Sequence, residues 1–347
     1  MGERSQLAKI KLAKITTFLA VLMIFAASLI LFGCGGSSAA SSSGGGTNLT
    51  LVAYSTPEAA YDALIPAFQK TDAGKGVNFN TSYGPSGDQS RAVEGGLPAD
   101  VVEFSLAPDM DRLVQDHLVS PDWNKNQYNG MVTDSVVVIV VRKGDPENIH
   151  SWDDLIKPGV EVITPNPFTS GGAKWNIMAA YGAQLKQGKT QQQAIDYLDK
   201  LFHNVPVQDK SARDALQTFV GGKGDAMLAY ENEAIAAQQA GEKIDYVVPD
   251  QTILIENPIA VTSDSKAPDK ANAFVKFLYT PEAQRIWGKK GYRPVVKSVY
   301  NEFNFPKPPD LFTIGYVGGW NNVNDKFFDP QNGIMAKINR EVGQPTQ

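Results

Sequence analysis

Three short stretches place a serine where a turn becomes a helix: Ser86 in YGPSGDQ, Ser170 in FTSGGAK and Ser211 in DKSARD. Serine is a good helix cap, and Gln89 and Asp214 stand three residues on, as in a capping box or its acidic variant. Capping does not account for Gly87 or for the pair Gly171 and Gly172. The first N–H groups of a helix lack intrahelical partners, and glycine has no Cβ to keep a guest away from them. The positive end of the helix dipole favours negative charge at the same place. Bare backbone at such turns suits an oxyanion, and turns of this kind occur in both halves of the chain.

Catalytic chemistry finds less support. GAQLKQGKT (182–190) resembles a phosphate-binding loop, but the motif's first glycine falls on Ala183 and the stretch ends a helix instead of following a strand. It reads as a helix stopped by Gly188. His117, His150 and His203 lack metal-ligand spacing and read as surface residues. GPSGD does not have the order of a nucleophile elbow. Glu231 and Glu233, if on a strand, share a face, and they are expected to cap or salt-bridge the next element. No enzyme activity, cofactor or metal is expected.

The elements that must carry the three turns alternate. LTLVAYS, a helix over about 57–70, VNFNTSYG, a helix to Glu94 and ADVVEFS describe parallel α/β layers. The apolar run SVVVIVVRKG (135–144) is a strand buried on both faces or one that passes between two sheets. A second set follows: GVEVITPNP, helices over about 170–186, 191–202 and 211–220, the strand in GDAMLAYENEA, then YVVP, ENPIAVTS and helices over 268–278 and 281–289. The tail from Tyr292 yields no assignment. Stretches 86–105 and 211–232 share one plan, a Ser-initiated helix, Gly-Gly and a turn into a strand. If the halves are analogous, a ligand should lie between them.

The 347 residues carry a formal charge of −5. Arg4, Lys9, Lys11 and Lys14 precede an uncharged run over 15–32 that ends in LFGC, the pattern of a secretory signal with a lipobox-like end and Cys34 as the acylated residue. Phe32 is bulkier than the small residue usual there. Removing this segment, net +3 with Glu3 counted, takes the charge from −5 to −8. An acidic mature chain excludes nucleic acid as the expected partner. Cys34 is the single cysteine, so the folded part has no disulfide and no Cys nucleophile. GGSSAASSSGGGT (35–47) reads as a flexible tether of roughly 20 Å.

NPFTSGGAKWNIMAAYG, GDAMLAYENEA and PDKANAFVKFLYTPEAQRIWGKKGYRPV resemble the bacterial sulfate/thiosulfate-binding proteins of ABC importers, with similarity from about Leu49 to at least Pro294. The resemblance implies a type II periplasmic-binding-protein fold, α/β and two-lobed, with a ligand cleft between the lobes. Its expected segments are a signal peptide (1–33), the lipidated Cys34 and tether (34–47), one lobe from 48–138 and 257–292, the other from 139–256, and a C-terminal tail (293–347) packed on both. Crossovers near 138–143 and 253–259 would be hinges. The implied sulfate ligands are the N–H of Ser86, the hydroxyl of Ser170, the N–H groups of Gly171, Gly172 and Ala212, and Tyr230, where the family usually has Trp. Lys174 replaces the family's arginine and, with Arg213, stands behind the ligands. A phenol can accept as well as donate a hydrogen bond, unlike an indole N–H, so this departure bears on selectivity. The implied partners are sulfate or thiosulfate, ABC permease subunits and the membrane through lipid on Cys34, for a monomer outside the cytoplasm. Molybdate or phosphate binding, or a hydrolase on the same scaffold, remain the alternatives.

Overall fold

The computed structural model describes residues 46–346. The signal segment, Cys34 and nearly all of the tether lie outside the described residues. Among the described residues no helix is long and apolar enough to cross a membrane.

The chain begins with β1 (Thr47–Tyr54), α1 (Glu58–Gln69), β2 (Val77–Gly84), α2 (Ser86–Glu94), β3 (Val101–Glu103) and α3 (Ala107–Gln115). Then come β4 (Met131–Arg142), β5 (Val162–Ile163), α4 (Gly171–Lys186), α5 (Gln191–His203), α6 (Ala212–Val220), β6 (Ala226–Tyr230) and α7 (Glu231–Gln239). The remainder holds β7 (Ile244–Val247), β8 (Gln251–Val261), α8 (Pro268–Leu278), α9 (Pro281–Lys289), β9 (Arg293–Pro294), α10 (Lys297–Tyr300), β10 (Asp310–Phe312), α11 (Gly319–Val323) and α12 (Ile334–Glu341). The strands join in the order β2-β1-β3-β8-β4-β6-β5.

Two long strands make this one sheet serve two lobes. Over 131–136 β4 lies antiparallel to β8, and from Val137 onward it pairs with β6 and β7. β8 pairs with β3 through 259–261, with β4 through 254–258 and with β10 through 251–253. Both strands therefore change partners in mid-course, β4 just before the expected 138–143 and β8 within 253–259. β-Branched residues suit this position: the valines and isoleucine of 136–141 fit a pleat covered on both faces, and all are 0–1% exposed.

Each lobe has its own core. Leu49, Leu51, Leu64, Phe68, Phe274 and Trp287 fill the first, and Ile139, Trp152, Trp175, Leu198, Phe202 and Leu228 the second. The internal repeat is structural. α2 and α6 both end in a glycine with positive φ, Gly96 at 101° and Gly222 at 104°. In each case the next N–H reaches back five residues, Leu97 to Ala92 O at 2.8 Å and Lys223 to Thr218 O at 3.2 Å. This is a Schellman closure, which turns the chain into the following strand.

The tail had no periodicity to read because it is held by contacts far off in sequence. β9 pairs with β4 and β10 with β8. The Phe312 ring packs where a Cβ on Gly182 would be, 2.3 Å away, so the glycine there serves packing. Gly188, at φ 82°, ends α4 as the sequence implied, with the Lys189 N–H returning to Gln184 O at 3.1 Å.

Glu231 and Glu233 open α7 instead of lying on a strand, because the chain turns at Tyr230. Glu233 Oε2 accepts from the Tyr230 N–H at 3.1 Å, and Glu231 pairs with Arg293 at 2.6 Å, both of those side chains under 5% exposed. This buried pair fastens β9 to the second lobe. Arg293→Met strands an uncompensated carboxylate and should cost about 3–5 kcal/mol in urea unfolding. Adding Glu231→Gln should recover part of that loss.

Candidate functional site

The starts of α2, α4 and α6 and the end of β6 meet between the lobes. A Cβ on Gly172 would lie 3.4 Å from Ser170 Oγ, 3.5 Å from Ala212 Cβ and 3.5 Å from Tyr230 Cε1, so these four residues share one spot. Ser86 joins them through Ser105, whose N–H donates to Ser86 Oγ at 3.0 Å and whose hydroxyl lies 2.6 Å from that of Tyr230. Ser86 is the first residue of α2, Gly171 and Gly172 the first two of α4, and Ala212 the first of α6. At these positions N–H groups have no partner within the helix. All six residues named from the sequence are thus brought together, and all are buried.

The three serines do different things. Ser211 is the cap that its spacing implies, accepting from the Asp214 N–H at 3.1 Å. Ser170 is the N-cap of α4 yet its side chain makes no capping bond, which leaves the hydroxyl for other use. Ser86 is not a cap, contrary to the expected capping box, because Pro85 precedes α2 as its N-cap. Its hydroxyl donates to Asp109 Oδ2 at 2.6 Å while accepting from Ser105, so only its N–H is uncommitted. Gln89 instead reaches Ser82 Oγ at 3.0 Å and Ala53 O at 3.3 Å.

The glycines also divide. Gly87 holds the lobes together: its N–H donates to Thr169 O at 3.1 Å. A Cβ on Gly171 would come within 2.5 Å of Leu106 Cδ2 and 2.7 Å of Ser105 Oγ, so its bare backbone lets the first lobe approach α4. The glycines read as openings for a guest also allow the two lobes to touch.

The nearby cations are committed elsewhere. The Arg213 guanidinium binds the Glu58 carboxylate and the Ser55 carbonyl, both in the first lobe. Lys174 donates to Asn324 Oδ1 at 3.1 Å and lies 5.0 Å from the centre of the Phe328 ring, and burial lowers its pKa. His117, His150 and His203 are exposed. Among the described residues no group of His, Cys, Asp and Glu could hold a metal. A cavity of about 650 Å3 opens beside the site, lined among others by Glu58, Arg213, Asn232, Glu233 and Tyr292, but none of the six residues lines it. The donors sit in the packed interface, not in that opening.

Sequence reasoning missed Ser105 and Glu103. Ser105, 1% exposed, follows β3, and its only signal was a polar residue at the end of a buried strand. Glu103, the last residue of β3, is fully buried, with the Tyr61 hydroxyl donating to one oxygen and no partner for the other. Burial pushes this carboxyl up to about 8, and its titrating neighbours are the phenols of Tyr54, Tyr61, Tyr83, Tyr279 and Tyr292. Tyr230 is likewise raised well above a free phenol by burial, so it keeps its proton.

Two lobes strung on a pair of partner-changing strands, with three helix starts gathered where they meet, define a protein that encloses a small ligand between its halves. Residues 49–293 match the family described as bacterial extracellular solute-binding protein, and the chain belongs to that family. It is 41% identical to the sulfate-binding protein of Synechococcus elongatus, over 89% of this chain and 92% of that one. With the thiosulfate-binding protein of Escherichia coli it shares 32% identity, over 81% and 88%. Among solved structures, the sulfate-binding protein SubI from Mycobacterium tuberculosis superposes with a TM-score of 0.80 at 47% identity, covering 82% of this chain and 100% of that one. A periplasmic thiamin binding protein, 17% identical with a TM-score of 0.64 over 90% and 99%, shows the fold alone.

Glu103 predicts a pH dependence of stability. Its folded pKa lies above the usual carboxyl value of 4.5, so folding favours the protonated form. The stability this contributes is complete below the unfolded pKa and is lost as pH rises toward 8, by at most about 1.4 kcal/mol per pH unit. Glu103→Gln should flatten the thermal midpoint between pH 5 and 8 and raise it at pH 8, as measured by calorimetric melts.

Proposed function

We propose that this chain captures sulfate, with thiosulfate as a second guest, and delivers it to the permease of an ABC importer. In this reading Ser86, Gly171, Gly172 and Ala212 give N–H groups, Ser170 its hydroxyl and Tyr230 its phenol. The observation that carries it is the convergence of three helix starts at one buried spot whose neighbouring cations, Arg213, Lys174 and Arg91, are bonded elsewhere, Arg91 to Asp88 and the Phe168 carbonyl. The names of the relatives agree with it: sulfate-binding and thiosulfate-binding proteins. Binding without turnover is the corresponding role.

Neutral donors suffice for a doubly charged guest. Each helix start carries about half a positive charge, so three offset most of the guest's charge. Hydrogen bonds to a charged group contribute about 1.5–3 kcal/mol each. A site made of donors also selects: sulfate has no proton near neutral pH, whereas phosphate keeps at least one. That proton would face a donor and leave a buried polar group unsatisfied, at about 1–3 kcal/mol. Molybdate, also unprotonated, is excluded only by size.

The same reading assigns 48–138 and 257–292 to one lobe and 139–256 to the other, with the partner changes on β4 and β8 as hinges. Acylation at Cys34 would hold a monomer on the outer face of the cytoplasmic membrane, and residues 35–47 would let it reach the permease.

Isothermal titration should show one sulfate bound per chain and phosphate at least about tenfold weaker. Phosphate binding as tightly as sulfate would refute a donors-only site. Ser86 offers a finer test. Ser86→Ala and Ser86→Pro both remove the hydroxyl held by Asp109, and proline suits the first position of a helix, so only loss of the N–H separates them. Ser86→Pro should bind sulfate about tenfold more weakly than Ser86→Ala; equal affinities would remove the Ser86 N–H from the ligand set.

A further inference from the structure

All the hydrogen-bonding groups of Ser105 are engaged, and its partners come from both lobes and the strand between them. Its N–H donates to Ser86 Oγ, and its carbonyl accepts from Trp175 Nε1 at 2.7 Å and from Asn257 Nδ2 at 3.1 Å. Its hydroxyl lies 2.6 Å from the Tyr230 hydroxyl, and the two side chains are each 1% exposed. Two touching hydroxyls hold two protons, of which one lies between them. Among the described residues neither hydroxyl has another hydrogen-bond partner, so the proton left out of the contact is buried and unsatisfied until a guest accepts it. With an anion seated beside Gly172, the arrangement that gives the outer proton an acceptor on the Tyr230 side has Ser105 donating and Tyr230 accepting. The phenol's accepting side is then filled, and its own proton is free for a guest beside Gly172, whose backbone packs on the same ring. Chained hydrogen bonds polarise one another in the same sense.

We propose that Ser105, by donating to Tyr230, fixes this phenol as a one-way donor and so sets the preference of the site for unprotonated oxyanions over protonated ones. Ser105 acts through Tyr230 as a positioning residue. The inference rests on the reading of Tyr230 as a ligand of the bound anion. Without Ser105 the phenol could rotate and accept, and a guest that brings its own proton would be tolerated.

The test is titration of wild type, Ser105→Ala, Ser105→Cys, Tyr230→Phe and the Ser105→Ala/Tyr230→Phe double variant with sulfate and with inorganic phosphate at pH 7. Ser105→Ala should lower the sulfate-to-phosphate affinity ratio about tenfold. Ser105→Cys, with a thiol that is a weak donor, should fall between it and wild type; it carries the test if the alanine variant does not fold. On the Tyr230→Phe background, Ser105→Ala should leave the ratio unchanged, which a purely structural role would not produce. A ratio unaltered in Ser105→Ala and Ser105→Cys, or altered equally with and without the Tyr230 hydroxyl, overturns this inference alone. A wild type that binds no sulfate overturns the functional reading, and this inference with it.

Discussion

The structure turns on keeping a few backbone N–H groups unpaired and dry at one place. A buried orphan donor is costly, so a fold can hold several together only where the covalent geometry leaves them over, and helix starts do this. α2 follows β2, α4 follows β5 and α6 follows the segment after α5, and all three begin at a common interface. The rest follows from bringing those starts close: glycine at 171 so that Ser105 and Leu106 can approach, a bond from Gly87 to Thr169, and Arg213 drawn off to Glu58 and Ser55.

The same interface explains why the lobes share a sheet. Two separate domains on a loose linker would meet in many orientations, and donors from each would rarely converge. Here β4 and β8 run unbroken from one lobe into the other, so orientation is inherited from strand register. Asn257 on β8 then bonds the Ser105 carbonyl and ties that register to the site. The tail reinforces it from outside, through the β9 pairing with β4 and the buried Arg293–Glu231 pair.

Polarity within the site is set by which atoms are already occupied. Serine, glycine and tyrosine are not selective by themselves, since hydroxyls accept as readily as they donate. The Ser86 hydroxyl is consumed by Asp109 and by the Ser105 N–H, and the Tyr230 hydroxyl is met by Ser105. Buried phenols and the Glu103 carboxyl surround this corner without bringing a cation to it.

Local physics made much of this legible in the sequence alone. Alternating periodicity marked the strands and helices of both lobes, the run of valines marked the strand shared between them, and serine with glycine at helix starts marked the donors. These are properties of a residue and its near neighbours, so no fold is needed to see them. Tertiary structure decided what depends on distant partners. Ser86 is held by Asp109 and does not cap, Gly87 and Gly171 serve contact between lobes, the tail is ordered by β4, β8 and Gly182, and Ser105 stands at the centre. No sequence window contains both Ser105 and Tyr230, which lie 125 residues apart. Closure of the two lobes is what places their oxygens in contact.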